Sequence, residues 1–326
     1  MLWLTYRQNR IELGTMLIGA IAIALVYVAA ALYVAGVRVQ VGLDGCPAVF
    51  GTSDCVAQFN EFRRLTGLVP LLPLALYVYP YVVAAFLAGP IFARDFENGT
   101  YRLVWTQGIT RMRWATSKLA IVCVAAAVAG LVIASVGGLT HEFMLGSIGP
   151  GPGFVFAGPG PWSVFDLQAP VVVSYLIFAV ALGAATGVLL RRTVSAMLAS
   201  LLLFVGVRAL VESKLRPNFL PMLSVPGGGF GSHTATPIPQ DAWQFGDRYV
   251  YSSTGLDFPQ EQFNKLLQNF RSGDLNAYLR SNDVTSLSYY QPADRYWLFQ
   301  SIETAIFLGL SLALVLLTIW LVRRRA

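Results

Sequence analysis

Mostly apolar positions in this chain are gathered into six long runs, at 16–37, 68–93, 119–139, 169–190, 193–211 and 304–322, uncharged apart from Arg208 in the fifth. Within a run the apolar residues show neither the 3.6-residue period of a surface helix nor the alternation of a half-buried strand. About 20 such residues wound as a helix cross a hydrocarbon core of roughly 30 Å. Lipid offers backbone groups no hydrogen-bond partner, so each run has to close its own bonds, and helix is the form open to long non-alternating runs. The pattern predicts six transmembrane helices and excludes a β-barrel. The first run follows Arg7 and Arg10 as a signal peptide would, yet it exceeds a usual signal-peptide core and five more runs come after it. It reads as a retained helix.

Basic residues in the connections give the expected orientation. Arg7 and Arg10, then Arg94, Arg102, Arg111, Arg113 and Lys118, then Arg191 and Arg192, and finally Arg323, Arg324 and Arg325 fall on one side of the predicted bundle. The other side has Arg38, Arg63 and Arg64 in the first connection and neither Lys nor Arg between His141 and Gln168. The positive-inside rule then makes both termini cytoplasmic in a multi-pass protein of the plasma membrane.

The segment 213–300 is a large extracytoplasmic insert between helices five and six on this reading. Phe263, Leu266, Leu267 and Phe270 recur at i, i+3, i+4 and i+7, followed by Leu275, Tyr278 and Leu279, which predicts two short amphipathic helices. Pro and Gly at 226–231 and 237–239 punctuate the insert, so it either folds as a small cap or lies on the outer membrane face. Between runs three and four, GPGPG at 149–153 and GPGP at 158–161 oppose helix and sheet alike and predict a turn-rich lid. The expected fold class is therefore an all-α integral membrane protein, one transmembrane domain over 1–326.

Composition sharpens what is excluded. Hydrophobic residues make up 56% of the 326 positions and charged residues 12%, against roughly 25% charged in soluble domains. A soluble enzyme is ruled out. The net charge of +6 reflects the basic flanks and their attraction to anionic head groups of the lipid bilayer, not a nucleic-acid surface. The three lysines, Lys118, Lys214 and Lys265, none of which follows a glycine, leave no phosphate-gripping GxxxxGK[ST] signature. His141 and His233 are the two histidines, His141-Glu142 lacks the second histidine of HExxH, and no cluster has metal-ligand spacing. No GxSxG elbow is present, and no group of catalytic residues stands at one membrane depth. The chain is not expected to be an enzyme or to hold a metal or cofactor.

Runs one to four and six contain no ionisable residue. Near the outer end of run five, Arg208 and Glu212 lie four apart on one helix face as an ion pair. They contact substrate, or Arg208 snorkels to the interface with Glu212 as its partner, the preferred reading. Cys46 and Cys55 flank a small external loop and either form a disulfide, the preferred reading, or remain free, while Cys123 inside run three is a small hydrophobe. Gly183 and Gly187 form a GxxxG step that packs within the bundle or against a second copy. Pro70, Pro73, Pro80 and Pro90 bend run two, and Trp3, Tyr6, Arg7 and Arg10 suit an entry helix at the cytoplasmic interface.

The connection 94–118 mixes charge with Phe96, Tyr101, Leu103, Val104, Trp105 and Trp114, too apolar for a solvated linker. Tyr101, Val104 and Trp105 share a helix face, which predicts a short helix along the membrane surface. Here the sequence resembles the permease subunits of type-2 (drug and polysaccharide exporter) ABC transporters. In that family the loop after span two reads Glu, then Gly-Thr, an apolar run, a turn with Thr or Ser and Arg, and a Lys opening span three. These are Glu97, Gly99-Thr100, Leu103-Val104, Thr110-Arg111 and Lys118 here. The string GTYRLVWTQGITRMRW, the start WLTYRQNR and the end RYWLFQSIETAIF are similar to permeases of high-GC actinobacteria. Gly108, where many relatives have Pro or Ser, and the insert before span six are departures.

The resemblance implies a half-transporter. Two permease chains, as homo- or heterodimer, would form the path, and separate ATPase subunits holding ATP and Mg would dock beneath. It implies export of an amphiphilic or hydrophobic substrate and a coupling surface at Glu97, Gly99, Arg102, Trp105, Thr106, Gln107 and Arg111. The residues themselves agree, since a carrier with neither intramembrane charges nor its own nucleotide site has to draw energy from another protein. The competing reading is a non-transporting sensor or scaffold that couples an external ligand to a cytoplasmic partner.

Overall fold

The computed structural model describes residues 2–43, 53–67, 69–101, 110–148, 160–226, 238–239, 241–271 and 275–325. Six helices among them are long and apolar enough to cross a membrane, spanning Asn9–Val41, Leu74–Glu97, Arg111–Gly138, Ala169–Leu190, Thr193–Asn218 and Ala293–Arg324. The chain divides into two compact units, one of Met1–Gly153, Val164–Ser213 and Gln300–Ala326, the other of Phe154–Ser163 and Lys214–Phe299.

In the first unit, α1 (Leu2–Val41) leaves helical geometry at Asn9, which sets an entry segment apart from the span. An amphipathic helix, α2 (Ser53–Leu65), follows and buries Phe62. Span two is composite. It runs as α3 (Leu72–Val82), a π turn over Val83–Ala88, and α4 (Gly89–Glu97). Pro90 explains the widening, because its ring crowds the carbonyl four residues back and it brings no N–H to the ladder. Ser200 donates to the carbonyl of Ala84 at 2.7 Å, serving a backbone acceptor inside this turn.

Helix α5 (Arg111–Ile148) packs along both α1 and α6 (Ala169–Leu190), and α7 (Thr193–Leu210) follows after a two-residue turn. Helix α6 is the centre of the bundle, with sixteen residues buried. Its glycine step faces inward. A Cβ on Gly183 would overlap the backbone of Ala88, and one on Gly187 would stand 2.9 Å from the nitrogen of Ala93. The GxxxG step is therefore consumed inside the bundle, between α6 and α4.

The second unit overturns the all-α expectation. Strands β1 (Leu223–Pro226), β2 (Trp243–Tyr251) and β3 (Val284–Gln291) form an antiparallel sheet in the order β1-β3-β2. Helices α8 (Gln260–Asn269) and α9 (Leu275–Ser281), both expected, lie between β2 and β3 in sequence. Phe263, Leu279 and Val284 form their core, with Tyr249 stacked on Phe263. The strands escaped the hydropathy pattern for two reasons. Buried positions of β3 carry Ser286 and Ser288, and β2 is interrupted by a bulge at Gly246 (φ +90°), which turns Trp243 to the face opposite Tyr249. On that other side Trp243 meets Trp162 and Phe299. Of the lid between runs three and four, residues 149–159 lie outside the described ones, and Gly160–Leu167 forms a 3-10 helix where no helix was expected.

Helix α10 (Tyr296–Arg325) begins eight residues before the expected start of run six, just as α5 begins eight before that of run three. Lys118, Gln300 and Glu303 thus lie within long apolar helices and are buried. Runs one to four and six hold no Asp, Glu, Lys, Arg or His, yet the longer helices built on runs three and six do. A helix extends past its apolar run when the polar residues find partners in the protein.

Candidate functional site

The connection between α4 and α5 is shaped at both ends by the residues the family pattern singles out. Asn98 donates its backbone N–H to the Arg94 carbonyl at 2.9 Å, and Gly99 follows with φ +68°. A left-handed residue just past a helix end is where glycine is needed, so Gly99 stops α4 and turns the chain. Thr100 then bonds the Asp95 carboxylate at 3.2 Å. At the far end Thr110 accepts from the backbone N–H of Arg113 at 3.3 Å, capping α5, and Arg111 is exposed on its first turn. Arg102, Trp105, Thr106 and Gln107 lie outside the described residues.

Glu97 is turned to the bundle's own structure. Its carboxylate accepts from the backbone N–H of Thr193 at 2.8 Å and from the Thr193 hydroxyl at 2.5 Å, holding the first turn of α7. Two neighbours on α4 do the same toward other helices. Arg94 donates to Glu12 of α1 at 2.6 Å. Asp95 accepts from Lys118 of α5 at 2.5 Å, and the same ammonium donates to the Ile91 carbonyl at 2.6 Å.

Burial ranks these three ties. The Lys118 side chain is 3% exposed and its partner 26%, with the ammonium over the rings of Phe92 and Trp114 at 5.2 and 5.6 Å. Removing one partner of a buried pair costs about 3–5 kcal/mol. Arg94 is 57% exposed, where a pair contributes about 0–1 kcal/mol. Glu97 is exposed. Around them Phe92 and Phe96 pack edge-on against Trp114, and Arg191, itself left-handed at φ +55°, lies over Phe96.

A second polar cluster occupies the opposite end of the first unit. Arg208 is 4% exposed and pairs with Asp166 at 2.9 Å, while the expected partner Glu212 stands at 4.0 Å. The guanidinium lies 4.2 Å from the Tyr175 ring centre. The Tyr175 hydroxyl bonds Asp166 at 3.0 Å and Glu303. The preferred reading of Arg208 as a snorkelling interface residue is thereby corrected, because a closer carboxylate and an aromatic face hold it inside the protein. Asp166, Tyr175 and Glu303 were missed in the sequence, since they come from segments far apart in the chain and Glu303 sits one residue ahead of an apolar run. Cys55 is disulfide-bonded, Cys123 is a free thiol, and Cys46 lies outside the described residues.

No curated protein and no solved structure matches the chain. A family model does. It covers residues 17–216, more than half of the chain, and takes in all but the ends of the first five spans, the α4–α5 connection, and Asp166, Tyr175 and Arg208 of the second cluster. Six helices of membrane-crossing length together with that match make this a multi-pass membrane protein, and the chain belongs to the ABC-2 membrane transporter related family.

Proposed function

We propose that this chain is the membrane-spanning permease subunit of an ABC transporter, moving an amphiphilic or hydrophobic compound outward with ATP and Mg handled by a separate ATPase subunit. The observation that carries this reading is the family match over the first five spans, including the α4–α5 connection. Basic residues at 7, 10, 94, 102, 111, 113, 118, 191, 192 and 323–325 support a cytoplasmic side for that connection and for both termini. The insert between spans five and six then faces outward, and a second permease chain completes the path.

The ATPase docks on the α4–α5 connection, through Arg102, Trp105, Thr106, Gln107 and Arg111. Gly99 shapes its entry and Glu97 serves α7 instead, in keeping with its two bonds to Thr193. The test is affinity purification of the tagged chain from its native membrane in mild detergent. A stoichiometric ATP-binding subunit is expected in the eluate, with ATP hydrolysis in the complex and none in the isolated chain. Intrinsic hydrolysis by the isolated chain, or repeated purification without an ATPase, refutes the proposal.

A further inference from the structure

Three residues at one helix end, Arg94, Asp95 and Glu97, bind three different helices, α1 through Glu12, α5 through Lys118 and α7 through Thr193. Toward α6 the same span packs closely, with Gly183 against Ala88 of the π turn and Gly187 against the backbone of Gly89 and Ala93. One helix end is thus tied by polar bonds to three neighbours and rests on a smooth close-packed face against the fourth. Such faces allow small sliding motions, whereas charged and capping bonds hold their partners in register.

We infer that this hub, with the Asp95–Lys118 pair at its centre, makes these residues positioning residues for energy transfer, carrying displacement of the α4–α5 connection to α1, α5 and α7 together. The inference rests on the permease reading above. Asp95 and Lys118 stand on either side of the connection, so their bond closes it into a loop with a fixed base. A push on a closed loop moves both of its helices, while a push on an open one splays α4 from α5 and is absorbed there. The Ile91 carbonyl and the rings of Phe92 and Trp114 surround the ammonium, which shields the lysine side of the pair from water and strengthens it. Glu97 extends the hub to α7, whose amide and hydroxyl at Thr193 it holds together.

The experiment uses the full chain assembled with its ATPase, on a Cys123→Ser background, with spin labels at the exposed positions Val128 of α5 and Leu202 of α7. Inter-label distance is read with and without ATP plus vanadate. A nucleotide-dependent shift is expected in the otherwise wild-type complex. In Asp95→Asn, and separately in Glu97→Ala, the complex still assembles and hydrolyses ATP, and the shift falls to less than half. Glu97 is exposed, so its substitution leaves the fold in place should Asp95→Asn not assemble. A full-sized shift in both variants overturns the hub and leaves the permease reading standing. Loss of the ATPase from Glu97→Ala also overturns it, since that marks Glu97 as a docking residue. Failure of the wild-type chain to assemble with an ATPase overturns the permease reading itself.

Discussion

Asp95 and Lys118 are 23 positions apart, on opposite sides of the α4–α5 connection, and their charged groups meet at 2.5 Å with the lysine almost wholly buried. Lys118→Met therefore leaves Asp95 facing an apolar side chain. With Asp95 still reached in part by water, the loss is expected at the lower end of the range for a broken buried pair, about 3 kcal/mol. Arg94→Ala, which cuts a half-exposed pair, costs about 0–1 kcal/mol. Thermal unfolding of the detergent-solubilised chain checks both, and equal losses would contradict the ranking by burial.

Arg208 should behave as a buried anchor. Arg208→Met strands Asp166 and is expected to cost about 3–5 kcal/mol, while Tyr175→Phe removes hydroxyl bonds to Asp166 and Glu303 for about 1–3 kcal/mol. An Arg208→Met chain as stable as wild type would return this residue to the membrane interface.

Gly183 and Gly206 give a matched comparison. A Cβ at Gly183 overlaps Ala88, whereas one at Gly206 meets nothing within 4 Å. Gly183→Ala is expected to destabilise by about 1–3 kcal/mol through overpacking. Gly206→Ala is expected to be neutral or to gain several tenths of a kcal/mol by helix propensity in α7. Fluorescence-detected size exclusion after a heating series measures both, and a tolerated Gly183→Leu would mean that the step faces outward.

Peptide mapping without reduction should find Cys55 in a disulfide with Cys46, and Cys123 modified by an alkylating reagent after solubilisation. The structure has Cys55 bonded and Cys123 free in a chain of three cysteines. Recovery of Cys55 as an alkylated thiol would contradict it.

The six spans were legible because a lipid-length helix leaves a mark that a hydropathy run preserves, and the two amphipathic helices because Phe263, Leu266, Leu267 and Phe270 keep a helical period. Gly99 and Thr110 were legible as motif residues, and the structure adds their local work, ending one helix and capping the next. The strands were not legible, because Ser286 and Ser288 occupy buried positions of β3 and the bulge at Gly246 changes which side of β2 faces the core. The polar clusters were hidden for a different reason. Lys118 and Glu303 look like flanking residues until helix ends beyond the apolar runs are known, and Asp166 gains meaning only when Arg208 is brought to it.

The π turn at Val83–Ala88 carries a further consequence for everything downstream on span two. A π turn holds one residue more than an α turn, and one residue of α-helix is about 100° of rotation. The azimuth at which Arg94, Asp95 and Glu97 leave the helix is therefore set six or more residues upstream, by an insertion-like defect rather than by their own sequence. Closing this turn as α with all its residues kept would swing all three side chains by about 100° from Glu12, Lys118 and Thr193, whereas deleting a single residue between Val83 and Ala88 as it closes would leave them in phase. The phase of span two, and not only its length or hydropathy, is what its sequence has to keep.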